Sequence, residues 1–135
     1  MPQPFEWMDK YSVGVQSLDD DHRGLLTQIN RVMAAIEAHD EGRTLADVLD
    51  HLVEYSVVHF DREETLMEQT AYPALESHRR SHDRLIRRLL KFLIAFRMNE
   101  LTPVDLGVFL MDWLVDHIEK EDKHYSAHFR QHGIC

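Results

Sequence analysis

Cysteine is almost missing from this chain: the only one, Cys135, is the last residue. No disulfide can form within the chain, so a reducing compartment is indicated and a cytoplasmic location is expected. Glycine and proline are scarce, five and four in 135 residues, which suits a mostly helical protein. No apolar run approaches the ~18 residues of a membrane-spanning helix, so no membrane insertion is expected. Residues 1–7, Met1-Pro2-Gln3-Pro4-Phe5-Glu6-Trp7, lack the basic region and apolar run of a secretory leader, and none is expected. Positive charge is in short supply, with 15 Lys and Arg against 24 Asp and Glu and a net charge of −9 with histidine neutral. Phosphate-rich surfaces need a basic face, so neither nucleic acid nor an anionic membrane is an expected partner.

The chain does hold enough apolar residues, 44%, to bury a core in one domain spanning residues 1–135. Residues 1–16 lack helical periodicity and read as an extended N-terminal arm whose Phe5, Trp7 and Tyr11 pack on the body. Apolar residues at helical spacing then predict four helices, about 18–38, 44–69, 73–97 and 103–131. The last has the clearest start, with Thr102 as cap, Pro103 at the first helical position and Asp105 at the third. Long amphipathic helices with short connections imply an all-α, antiparallel up-down four-helix bundle.

Histidine is the abundant residue, ten in all, and its placement is informative. The inward stripe of the first helix carries His22, that of the second His59 with Glu63, that of the third His78 with His82, and that of the fourth His117. Residues four apart share a helix face, so His59 pairs with Glu63 and His78 with His82. A lone buried histidine is usually a hydrogen-bonded core residue. Five on converging faces would leave many polar atoms to satisfy in one layer, and a metal does that. Imidazole mixed with carboxylate suits a first-row metal such as iron, zinc or manganese. Five histidines and two acids exceed what one ion takes, so two ions sharing the carboxylates fit better. Two octahedral ions holding those side chains and a bridging oxide or hydroxide keep one open position, which suits reversible attachment of a small diatomic ligand.

The pattern resembles the hemerythrin family in its single-domain bacterial form. The matching residues are Trp7, Tyr11-Ser12-Val13-Gly14-Val15, Leu18-Asp19-Asp20-Asp21-His22, the run His59 to Met67, His78-Arg79-Arg80-Ser81-His82 and the run Trp113 to Asp122. That resemblance implies a centre of two iron ions with an oxo or hydroxo bridge. His78, His82 and His117 would bind one iron, His22 and His59 the other, and Glu63 and Asp122 would bridge. It implies dioxygen as the ligand, attached at the iron with two histidines, for carriage, storage or delivery, with no enzymatic turnover. A monomer is expected, with an oxygen-consuming enzyme or a redox partner as the receiver.

For the second bridge, helical spacing alone chooses Glu121, four after His117, whereas the family pattern chooses Asp122. A π-bulge or a rotated helix would bring Asp122 inward. A dry oxygen pocket needs apolar walls, and Leu25, Phe60, Trp113, Leu114 and Ile118 lie within a turn of ligands. Other readings of the same metals are a di-iron oxidase or peroxidase, a nitric oxide scavenger, or an oxygen or redox sensor acting through a partner. Asp21, where relatives usually have glutamine, is expected to be a solvated residue of the first helical turn. His124, His128 and His132 are expected to be exposed at a helix C-terminus, where positive charge is welcome.

Overall fold

A computed structural model describes residues 5–38, 43–120 and 122–135. Its helices are α1 (Gln16–Glu37), α2 (Arg43–Gln69), α3 (Leu75–Arg97), α4 (Pro103–Lys120) and the short α5 (Ser126–Gln131). The first four form an antiparallel bundle in which each packs on its chain neighbours and α1 also meets α4. No strand occurs among the described residues, and no described helix is long and apolar enough to cross a membrane.

Each helix exists because its apolar stripe needs a partner. Leu18, Leu25, Ile29, Leu49, Leu52, Leu89, Leu106 and Leu110 are sealed completely in the interior. At the end away from the histidines, Phe92 of α3 stacks on Phe109 of α4, with centroids 3.8 Å apart. That end is the greasy half of the bundle, and it leaves the other half to hold polar groups at depth.

Ahead of α1, a 3-10 turn (Asp9–Tyr11) contacts α4, and Tyr11, Val13 and Val15 are buried. This segment is held by Asp19, whose carboxylate accepts from Ser12 Oγ at 2.6 Å and Val13 N at 2.8 Å. Helix α3 starts at Leu75 rather than at Pro73, because Thr70–Tyr72 form a tight turn closed by Tyr72 N donating to Met67 O at 2.9 Å. The fourth helix does not run unbroken to 131. It stops at Lys120, a 3-10 turn occupies Asp122–Tyr125, and α5 resumes at Ser126.

The start of α4 is capped reciprocally. Asp105 N donates to Thr102 Oγ1 at 3.1 Å, and Thr102 N donates to Asp105 Oδ2 at 3.3 Å. Thr102→Ala removes one half of this box and is expected to lower unfolding stability by about 1 kcal/mol, read by urea denaturation.

Candidate metal centre

The polar half of the bundle gathers seven side chains from five elements. Helix α1 supplies His22, α2 supplies His59 and Glu63, α3 supplies His78 and His82, α4 supplies His117, and the 3-10 turn supplies Asp122. All seven are buried, with Glu63, Asp122 and His22 wholly inaccessible. The Nε2 atoms face inward upon the two carboxylates. Glu63 Oε1 lies 3.3 Å from His59 and 3.1 Å from His82, and Glu63 Oε2 lies 3.7 Å from His22. Asp122 Oδ1 lies 3.1 Å from His78 and 2.9 Å from His117, while Oδ2 lies 3.0 Å from His22.

These are close approaches without well-directed hydrogen bonds. Glu63 Oε1, both Asp122 oxygens and the Nε2 atoms of His22, His59, His78 and His82 are buried with no hydrogen-bond partner. Native interiors tolerate few such atoms, and seven of them facing one another describe a cation-binding cradle. Their donor atoms fall into two overlapping sets, each within 4.8 Å: Glu63, His78, His82, His117 and Asp122 in one, and His22, His59, Glu63 and Asp122 in the other. Both carboxylates belong to both sets. A pair of ions sharing two carboxylates therefore fits the residues present.

The electrostatics follow from burial and proximity. Burial and the Asp122 charge both act to raise Glu63, yet His59, His22 and His82 hold it well below the usual carboxylate range. Asp122 is likewise held low, burial being outweighed by His117, His22 and His78. Burial disfavours a charged His22, but Asp122 and Glu63 push its pKa up to about 9. The site without metal is thus a cluster of carboxylates that draws in cations, protons included.

Asp122 opens a 3-10 turn, which winds tighter than an α-helix, and its side chain is buried; no π-helical residue occurs among the described residues. Glu121, the alternative that helical spacing favours, lies outside the described residues. Behind the cluster, Tyr125 donates its hydroxyl to Glu63 Oε2 at 2.5 Å. Burial and the charges of Glu63 and Asp122 raise Tyr125 well above its ordinary value, so it remains a donor. The sequence signal for Tyr125 is its place on the apolar stripe of the predicted fourth helix, eight residues after His117, which gives no hint of its bond to Glu63. Tyr125→Phe leaves Glu63 Oε2 without its donor and is expected to cost about 1–2 kcal/mol of stability in thermal unfolding of the metal-free chain.

Two arginine-backed carboxylates support the ring. His59 Nδ1 lies 2.9 Å from Asp21 Oδ2, and Arg62 donates to Asp21 Oδ1 at 2.6 Å. His82 Nδ1 lies 2.8 Å from Glu64 Oε2, and Arg79 donates to Glu64 Oε1 at 3.3 Å. The expectation of a solvated Asp21 is therefore wrong. The α1 turn directs it onto α2, where it is buried. His128 also departs from expectation: it is part-buried, and its Nε2 meets Thr70 O and Oγ1 at 2.9 and 3.0 Å. His124 and His132 are exposed as expected.

Beside His22 and His59 the packing leaves a narrow, mostly apolar gap with no point wide enough for a water molecule. Leu25, Phe60, Trp113 and Leu114 wall it, with His117 at one side. Ile118 is buried but does not border it; Leu85 does. The signal for Leu85 was its place on the α3 stripe, three residues after His82. Phe60 also stacks on the His82 ring, with centroids 4.0 Å apart and planes 9° from parallel. Trp113 Nε1 donates to Leu85 O at 3.1 Å, which fixes two wall residues to each other.

The sequence profile of the Hemerythrin HHE cation binding domain matches residues 13–129. The chain belongs to the hemerythrin family. It is 29% identical over 126 residues to a bacteriohemerythrin of Stenotrophomonas maltophilia, spanning 93% of this chain and 82% of that one. Over 119 residues it is 32% identical to a bacteriohemerythrin of Pseudomonas aeruginosa, covering 88% of this chain and 77% of the relative. A crystal structure of wild-type hemerythrin superposes with a TM-score of 0.79 at 29% identity, covering 93% and 97% of the two chains. The histidine-and-carboxylate cluster thus sits in a hemerythrin bundle and is a possible non-haem metal site.

Proposed function

We propose that this chain binds dioxygen reversibly at a non-haem di-iron centre, for oxygen carriage, storage or delivery, and does not turn over a substrate. The observation that carries this reading is the pair of overlapping donor sets that share Glu63 and Asp122, with apolar side chains packed beside His22 and His59. His78, His82 and His117 would hold one iron, His22 and His59 the other, and Glu63 and Asp122 would bridge them. When bound, such a pair supplies the electrons for reversible attachment of dioxygen and carries an oxo or hydroxo bridge.

The chain's own residues do the rest. Glu63 and Asp122 bring the compensating negative charge. Asp21 and Glu64 face the outer ring nitrogens of His59 and His82, which turns each Nε2 lone pair inward. Leu25, Phe60, Leu85, Trp113 and Leu114 keep water from the side where His22 and His59 meet, and water would promote irreversible oxidation. The tight apolar packing beside His22 and His59 offers no open chamber for an organic substrate, which favours binding of a small ligand over oxidase chemistry.

The test is spectroscopic. Dioxygen added to the reduced, iron-loaded protein should produce a charge-transfer band that vanishes under vacuum and returns on re-exposure. A band that fails to reverse, or steady turnover with peroxide or nitric oxide above the rate of free iron, defeats the carrier reading.

A further inference from the structure

The ring of five histidines is not uniform in what stands behind it. His22 has no hydrogen-bond partner at Nδ1. His59, its companion in the smaller donor set, backs onto Asp21 at 2.9 Å. Whatever electron density the outer residues push through the imidazoles of that pair therefore passes through His59. Asp21 is itself only 7% exposed, and its other oxygen takes a 2.6 Å ion pair from Arg62, whose side chain is 49% exposed. On the far side, His82 and Glu64 make the analogous contact, but Arg79 divides its charge among Glu64, Glu68 and Glu76. The Asp21–Arg62 pair is private by comparison: one carboxylate, one guanidinium and one histidine.

We propose that Asp21 and Arg62 are positioning residues that set, with opposite signs, the donor strength of His59 toward the metal it faces, and hence the redox poise of the two-histidine position. The redox half of this statement rests on the di-iron reading above. A carboxylate accepting from Nδ1–H fixes the tautomer and draws that proton outward, so Nε2 becomes a stronger donor. A stronger donor stabilises the more oxidised ion and lowers its reduction potential. Arg62 works against this by drawing charge from Asp21 through a charge-assisted hydrogen bond. Because Arg62 is half exposed, its grip on Asp21 can be altered from the surface without touching the cluster.

Two substitutions separate this role from simple structural support. Asp21→Asn keeps an oxygen that can accept from His59 but removes the charge. Arg62→Met keeps the aliphatic stem but leaves Asp21 fully anionic. In the iron-loaded protein, Asp21→Asn should move the reduction potential to more positive values and slow oxidation in air about tenfold, the low end of outer-shell effects. Arg62→Met should move both the other way, and Arg62→Lys should restore the original behaviour.

Two readouts do not depend on iron. In the metal-free protein, proton and nitrogen NMR of the His59 ring should show a protonated, hydrogen-bonded Nδ1 whose resonance moves upfield in Asp21→Asn. Cobalt(II) titration should show the metal position at His22 and His59 weakened about tenfold by Asp21→Asn and strengthened by Arg62→Met. Shifts of the same sign in both variants, or no shift in either, overturn the proposal. Wild-type protein that holds fewer than two irons overturns the di-iron reading instead, and the cobalt and NMR results then decide the His59 inference alone.

Discussion

Glu63→Ala is expected to empty both metal positions, whereas His59→Ala is expected to empty one. The asymmetry comes from geometry. One Glu63 oxygen stands 3.3 Å from His59 and 3.1 Å from His82, which lie in different donor sets, and its other oxygen stands 3.7 Å from His22. Among the described residues, Glu63 and Asp122 are the carboxylates common to the two sets. Alanine removes a shared donor and half of the buried negative charge that makes two cations tolerable among imidazoles. The loss of affinity should exceed the roughly 10–100-fold typical of outer-shell partners. His59→Ala leaves Glu63, His78, His82, His117 and Asp122 intact, so about one ion per chain should survive. Metal analysis after gel filtration checks both, and retention of two irons by Glu63→Ala would contradict the bridging role.

Removing the metal should reverse the sign of the pH response. In the metal-free chain His22 has its pKa pushed up to about 9 by Asp122 and Glu63, against an ordinary value of 6.5. A raised folded-state value means the stabilisation is complete below pH 6.5 and is lost as pH climbs through about 9. The loss is on the order of 3 kcal/mol for a group so deeply buried. Glu63 and Asp122 are held low, so their contribution is present above the ordinary carboxylate range and fades only in strong acid. The metal-free protein should therefore melt highest in mildly acidic buffer and lower at pH 9. The metal-loaded protein should behave oppositely across neutrality, because the histidines must be deprotonated to bind and the metal dissociates as pH falls. Melting curves of both forms between pH 5 and 9 test the crossing directly. Parallel slopes would mean that His22 does not sit between the two carboxylates as described.

Much of this arrangement was legible because two periodicities coincide. The 3.6-residue repeat that buries Leu18, Leu25 and Ile29 also carries His22, so the burial of that histidine could be read from its neighbours. The same holds for His59 with Leu52, and for His117 with Leu110 and Leu114. Asp122 escaped this logic, since its inward direction depends on a change of winding after Lys120 that has no repeat to announce it; only the family pattern pointed to it. Asp21 was misjudged for a related reason. An acid in a first turn is normally a solvated partner of the helix dipole, and only the position of α2 reveals that His59 and Arg62 are waiting for it. His128 was misjudged because its partner, Thr70, lies 58 residues away in sequence. Periodicity reports which face of a helix is inside. It does not report which residue of another helix stands opposite.

The 3-10 turn that carries Asp122 also has a mechanical meaning. Tyr125 at its far end is tied to Glu63, and Ser126 just beyond it donates to Val13 O in the segment leading into α1. A load applied to α5 would therefore reach the Glu63 carboxylate through Tyr125, within a single turn. A displacement of α5 would thus be felt at Glu63, a carboxylate that both donor sets share, and so in how the two sets are spaced.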